Sequence, residues 1–165
     1  MQDETRGPQA RTDASATPED PSLAPQYARV LVVEDNALVA TMYEAALRRL
    51  SEGDRLPLAV EIARDGGEAL ARLLRPPAVD VVVTDVFMPD ISGVELVEQI
   101  RAAPLLSSLP VVVATSGGVR EEARLAALGI TRFLRKPVSF EGLAAAVRDA
   151  LRGAAPPRGP QPRRG

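Results

Sequence analysis

Short β-branched runs alternate with longer amphipathic stretches through most of this chain, and that alternation restricts its fold more than any other feature. Val30-Leu31-Val32-Val33, Leu58–Ala63, Val79–Thr84, Val111-Val112-Val113-Ala114 and Thr131–Leu134 read as five strands. Between and after them lie helical patterns. The first spans Asn36–Leu50, with Val39, Tyr43, Ala46, Leu47 and Leu50 at helical spacing. Gly67–Leu74 is a short helix closed by Pro76-Pro77, Gly93–Arg101 is a third, and Val119–Leu128 is stopped by Gly129. A last helix is capped by Ser139 and turns Phe140, Leu143, Val147 and Leu151 to the core. The strands are continuous apolar runs, as strands covered on both faces should be. The pattern predicts an α/β domain: a doubly wound, five-stranded parallel sheet with five helices.

The apolar residues mark the boundaries of that domain. The chain contains 44 Leu, Ile, Val and Phe residues, and all but Leu23 fall between Ala28 and Arg152. One domain is therefore expected over 28–152. Segments 1–27 and 153–165 hold eight of the 15 prolines and too little apolar surface for a core, so both are expected to be disordered tails. With 13 residues after Arg152, no room is expected for a DNA-binding or enzymatic output domain.

Composition removes several chemistries. Without cysteine there is no disulfide, thiolate nucleophile or cysteine-bound zinc, and without histidine there is no Ser-His-Asp triad or imidazole base. The absence of tryptophan, the 3% aromatic content and the net charge of −2 are poor for nucleic-acid binding. No apolar run of transmembrane length and no signal peptide are evident, so a soluble, cytoplasmic protein with no membrane partner is expected.

Ligands of doubly wound sheets bind at the carboxyl ends of the strands. The residues there are Glu34-Asp35, Asp85, Thr115-Ser116 and Lys136-Pro137. Clustered carboxylates repel one another and call for a hard cation such as Mg²⁺. A carboxylate beside that cation can attack a phosphoryl group, and Thr115 and Lys136 can donate to the phosphoryl oxygens. Each piece alone reads equally as a turn former, a helix cap or a surface lysine. Lys136 is, however, the only lysine among 20 Lys and Arg residues, which suggests a need for a compact ammonium.

With VLVVEDN (30–36), VVVTDVFMPDISGVEL (81–96), PVVVATSG (110–117) and FLRKP (133–137) in this order, the chain resembles a response-regulator receiver domain of two-component signalling over nearly all of 28–152. The resemblance implies the flavodoxin-like receiver fold and a single-domain, chemotaxis-regulator-like protein. It implies Asp85 as phosphoacceptor, Asp35, Asp85 and the Phe87 carbonyl as Mg²⁺ ligands, and Glu34 acting on the metal through water. It implies Thr115 and Lys136 on the phosphoryl oxygens, Phe133 as the aromatic that swings inward when Thr115 moves, Gly93 in the loop after the phosphorylation site, and a cis Lys136-Pro137 peptide. The partner would be a histidine kinase or histidine phosphotransfer protein, followed by an unknown downstream protein. The chain would be no enzyme beyond self-catalysed phosphoryl transfer to and hydrolysis from Asp85. Two features depart from the family: the long stretch Leu50–Leu58, and Phe87 and Gly117 beside the phosphoryl position, where Phe87 is expected to restrict water. The competing reading is a phosphorylation-independent interaction adaptor on the same fold. A role of the basic C-terminal tail in binding nucleic acid, acidic lipid or a polyproline receptor is weaker.

Overall fold

The computed structural model describes residues 27–53 and 57–153. Ten elements alternate along the chain. They are β1 (Ala28–Val33), α1 (Ala37–Gly53), β2 (Leu58–Ala63), α2 (Gly66–Leu73), β3 (Val81–Asp85), α3 (Gly93–Ala102), β4 (Val111–Thr115), α4 (Val119–Ala127), β5 (Phe133–Arg135) and α5 (Phe140–Gly153). The strands form one parallel sheet in the order β2-β1-β3-β4-β5. The predicted doubly wound sheet with five helices is the observed fold.

Strand residues alternate between two cores, as a period of two requires. Leu31, Val33, Val82, Val111 and Val113 pack with α2, α3 and Leu125 of α4. Val30, Val32, Val81, Val83, Val112 and Ala114 pack with Tyr43, Ala46, Leu47 and Leu50 of α1 and Leu143, Val147 and Ala150 of α5. Both faces of β3 and β4 are fully covered, which explains their unbroken apolar sequences.

Strand boundaries differ from the sequence expectation by one or two residues, and the difference matters at the site. The ladder of β3 begins at Val81; just before it, Asp80 N–H donates to the Arg29 carbonyl at 2.9 Å and the Asp80 carboxylate accepts from the Arg29 N–H at 2.7 Å. Its far end runs on to Asp85, and that of β4 to Thr115, so both residues are fixed by sheet pairing. β5 starts at Phe133 rather than Thr131. Gly129, at φ 80°, ends the α4 turn, and Ile130 N–H returns to the Leu125 carbonyl at 3.0 Å before the chain enters the sheet. Helix α1 extends three residues past Leu50 to Gly53. The expectations for the two tails and for the middle of the 50–58 connection lie outside the described residues. Among the described residues no helix is long and apolar enough to cross a membrane.

Candidate functional site

The carboxyl ends of β1, β3 and β5 meet at one acidic cluster. Glu34 and Asp35 follow β1 directly, and Asp85 is the last residue of β3. One carboxylate oxygen from each lies within 4.8 Å of the other two. Glu34 and Asp85 are buried and Asp35 is exposed, so the cluster opens to solvent on one side.

Backbone and lysine hold these carboxylates in place. Asp85 Oδ1 accepts from the N–H groups of Val86 at 2.6 Å and Phe87 at 3.3 Å. Its Oδ2 accepts from Lys136 Nζ at 2.8 Å. The same ammonium donates to Glu34 Oε2 at 3.1 Å, and Glu34 Oε1 accepts from the Asn36 N–H at 3.2 Å. A planar guanidinium would spread its charge and donors over a fork, whereas the point-like ammonium sits between two carboxylates. Burial pushes the Glu34 carboxyl above its ordinary value although Lys136 opposes it. Burial also pulls the Lys136 ammonium down, but the hydrogen bonds and charges of Asp85 and Glu34 outweigh it and hold the group above its ordinary value.

Three converging carboxylates with a single ammonium leave excess negative charge at the mouth. Hard oxygen donors of this kind suit Mg²⁺, and the open side leaves room for the waters that Mg²⁺ retains. Glu34, Asp35 and Asp85 therefore fit the metal that the sequence pattern calls for.

The remaining candidates lie around this cluster and make contacts of their own. Thr115 is fully buried at the end of β4, and its Oγ1 is committed to its own loop: it donates to the Gly117 carbonyl at 2.9 Å and accepts from the Gly117 N–H at 3.1 Å. Its carbonyl accepts from Lys136 N–H at 2.9 Å, which ties the two strand ends together. The Lys136-Pro137 peptide is cis. Phe133 is partly buried against the core beneath α2, α3 and α4. The Phe87 ring is about half exposed and lies over Gly118, where an added Cβ would come within 3.3 Å of its Cζ. Phe87 thus bridges the loop after β3 and the loop after β4.

Two neighbours of the site were not legible as such. Tyr43 fits the apolar spacing of α1 and is buried there, yet its hydroxyl feels the charges of Lys136, Glu34 and Asp85, and burial raises it above the ordinary tyrosine value. Arg135 faces α4, where its Nη2 donates to Glu122 Oε2 at 3.0 Å.

Known proteins place this arrangement. Residues 30–148 match the family described as the response regulator receiver domain. The chain is 31% identical over 124 residues to a chemotaxis protein CheY homolog of Campylobacter jejuni, a match covering 74% of this chain and 92% of that protein. It is 36% identical over 160 residues to the virulence sensor protein BvgS of Bordetella pertussis, covering 93% of this chain but 12% of that much longer protein. It spans about half, 54%, of the response regulator MprA of Mycobacterium sp., at 38% identity. Among solved structures, the chemotaxis protein CheY4 of Vibrio cholerae superposes with a TM-score of 0.67 at 31% identity, covering 76% of this chain and 100% of that one. The family match covers the sheet from Val30 onward and every strand end that builds the acidic cluster, so this chain belongs to the response regulator receiver domains of two-component signalling.

Proposed function

We propose that the protein is a phosphorylation-driven switch in which Asp85 accepts a phosphoryl group from a partner phosphohistidine. The observation that carries this reading is the Asp85 carboxylate at the end of β3, 2.8 Å from the only lysine ammonium and in one cluster with Glu34 and Asp35. The chain has no histidine, so the phosphohistidine belongs to a histidine kinase or a histidine phosphotransfer protein. A carboxylate oxygen of Asp85 attacks phosphorus, the P–N bond breaks, and its electron pair returns to the imidazole. The product is an acyl phosphate.

Bound at Glu34, Asp35, Asp85 and the Phe87 carbonyl, Mg²⁺ would neutralise charge on the phosphoryl oxygens. The chain's own groups do the rest. Backbone N–H groups of Val86 and Phe87 orient the Asp85 carboxylate. Lys136 exchanges its contact with Asp85 for one with a phosphoryl oxygen. Thr115 surrenders its bond to the Gly117 carbonyl and donates to another. The product adds about −1.5 to −2 charge, which draws both groups inward. Phe133 then fills the space Thr115 leaves, and the face formed by α4, β5 and α5 changes shape for a downstream protein.

Incubation with a small-molecule acyl phosphate and Mg²⁺, followed by intact mass, tests the reading. We expect a single Mg²⁺-dependent adduct, labile to hydroxylamine and absent in Asp85→Asn. No adduct from that donor or from phosphohistidine donors would leave a phosphorylation-independent adaptor as the better account.

A further inference from the structure

Helix α4 is held to the domain by less than its neighbours. Leu125 is its one buried side chain, whereas α3 buries Gly93, Val94, Leu96, Val97 and Ile100. Its N-cap is Gly118, which offers no capping side chain, so no side chain accepts from the first N–H groups of the helix there. The loop that feeds it contains Gly117 at φ 129° and Gly118 at φ 120°, conformations that L side chains rarely adopt. Besides Leu125, the far end of α4 is held by Leu128 against the core and by Arg101 Nε donating to the Leu128 carbonyl at 3.1 Å, and the rest of the helix is held by charge. Arg124 pairs with Glu98 of α3, and Glu122, in the first turn, pairs with Arg135 of β5.

The second pair sits at a mechanically sensitive place. Arg135 is the sheet partner of Thr115. Its guanidinium lies against the loop after Thr115, with Nη1 3.9 Å from where a Cβ on Gly117 would stand. Phe133 and Arg135 share one face of β5, and Glu122 and Leu125 stand three residues apart on α4. The contact itself is one hydrogen bond at 3.0 Å plus a charge contact at 2.6 Å between Nη1 and Glu122 Oε1. At that buried oxygen the contact is electrostatic, without a well-aligned hydrogen bond among the described residues.

We propose that the Arg135–Glu122 ion pair is a latch that holds α4 on β5 while Asp85 is unmodified and thereby slows phosphorylation. This rests on the phosphorylation reading above and adds a restraint to it. Thr115 Oγ1 cannot donate to Gly117 and to a phosphoryl oxygen at once. Its turn inward therefore frees the Gly117-Gly118 loop, and the latch opposes the displacement of α4 that follows. A receiver with the latch cut populates the switched arrangement more often before modification, and a ligand that prefers that arrangement is bound or accepted faster.

Backbone hydrogen exchange of the full chain, without phosphate donor, reads the latch directly. In Glu122→Gln and Arg135→Gln we expect exchange across Val119–Ala127 to accelerate about 2- to 5-fold, the range of a partly exposed ion pair, with α1 unchanged. The charge swap Glu122→Arg with Arg135→Glu should restore the wild-type rate. Acyl-phosphate modification of Asp85 should quicken by a similar factor in the single variants. Unchanged exchange in both single variants, or no recovery in the swap, overturns the latch. Faster exchange with an unchanged modification rate overturns its regulatory role. If wild type acquires no phosphoryl group at all, the function proposed above fails, and the exchange rates still decide whether the latch holds α4.

Discussion

The Asp85 carbonyl oxygen leaves no space for a side chain at position 93: a Cβ there would stand 1.9 Å from it, and Gly93 N–H instead donates to the Val86 carbonyl at 2.9 Å. The first turn of α3 is thus pressed against the backbone that presents Asp85, the proposed phosphoacceptor. Gly93→Ala should lower stability by at least the roughly 1–3 kcal/mol typical of overpacking, read as a drop in urea midpoint, and should also slow modification of Asp85. Wild-type stability in that variant would show that the loop can relax at no cost. Phe87 makes the opposite argument, from a side chain that is present. Its ring spans the loops after β3 and β4, and there it is expected to restrict the access of water to the proposed acyl phosphate. Phe87→Asn should shorten the phosphorylated lifetime several-fold, measured by loss of the adduct after donor removal, and an unchanged lifetime would remove Phe87 from the path of water. Individual residues were unevenly legible. Lys136 stood out because it is the sole lysine, and the acids because they end apolar runs. Tyr43 and Arg135 did not, since one fits a helical stripe and the other is one arginine among many. Their significance lies in which partners the folded sheet brings near.

At the scale of elements, the sequence disclosed the type and order of all ten, because fully covered parallel strands need unbroken apolar runs and the helices between them need one apolar face. The ends were less legible. Ladder pairing extends β3 and β4 to Asp85 and Thr115, and no single-strand pattern encodes what a neighbouring strand offers. The edge strand β2 shows how such an element is secured. Its Glu61 accepts from Arg72 of α2, through Nη2 at 2.7 Å and through Nε, and from Arg29 of β1 at 3.5 Å. Hydrogen bonding to Arg72, followed by the charges of Arg72 and Arg29, outweighs burial and holds the Glu61 carboxyl below its ordinary value of 4.5. A carboxyl depressed in the folded state stabilises the fold above its unfolded value, and that stability is lost as pH falls through the folded value. Glu61→Gln should therefore cost about 0.5–1 kcal/mol at pH 7, the discounted value for a partly exposed pair. The difference from wild type should shrink below pH 4.5 and vanish once Glu61 is protonated in both states. Urea midpoints across that range check it, and a constant difference would assign the loss to packing.

For the whole molecule, the two cores stabilise a structure that gathers like charges at one end of the sheet. Glu34 and Asp35 follow β1 and Asp85 ends β3, so their carboxylate oxygens lie within 4.8 Å of one another only when the sheet has formed. Lys136 offsets part of the repulsion and joins β5 to the other two strands. A divalent cation at this cluster would bind the folded chain and find no equivalent site in the unfolded one. Its contribution then follows RT ln(1 + [L]/Kd), about 2.7 kcal/mol at a hundredfold excess over Kd. At roughly 4 °C per kcal/mol for a domain of this size, Tm should climb by about 10 °C as Mg²⁺ is raised to that level, and fall back on chelation. Asp85→Asn relieves repulsion, so this variant can start from a higher Tm than wild type, and the starting values say nothing about the site. The slope against Mg²⁺ concentration is the informative quantity: it should flatten in Asp85→Asn and Asp35→Asn, while sodium chloride at matched ionic strength reproduces only the part due to screening. Equal slopes in wild type and both variants would place the stabilising cation somewhere other than this cluster.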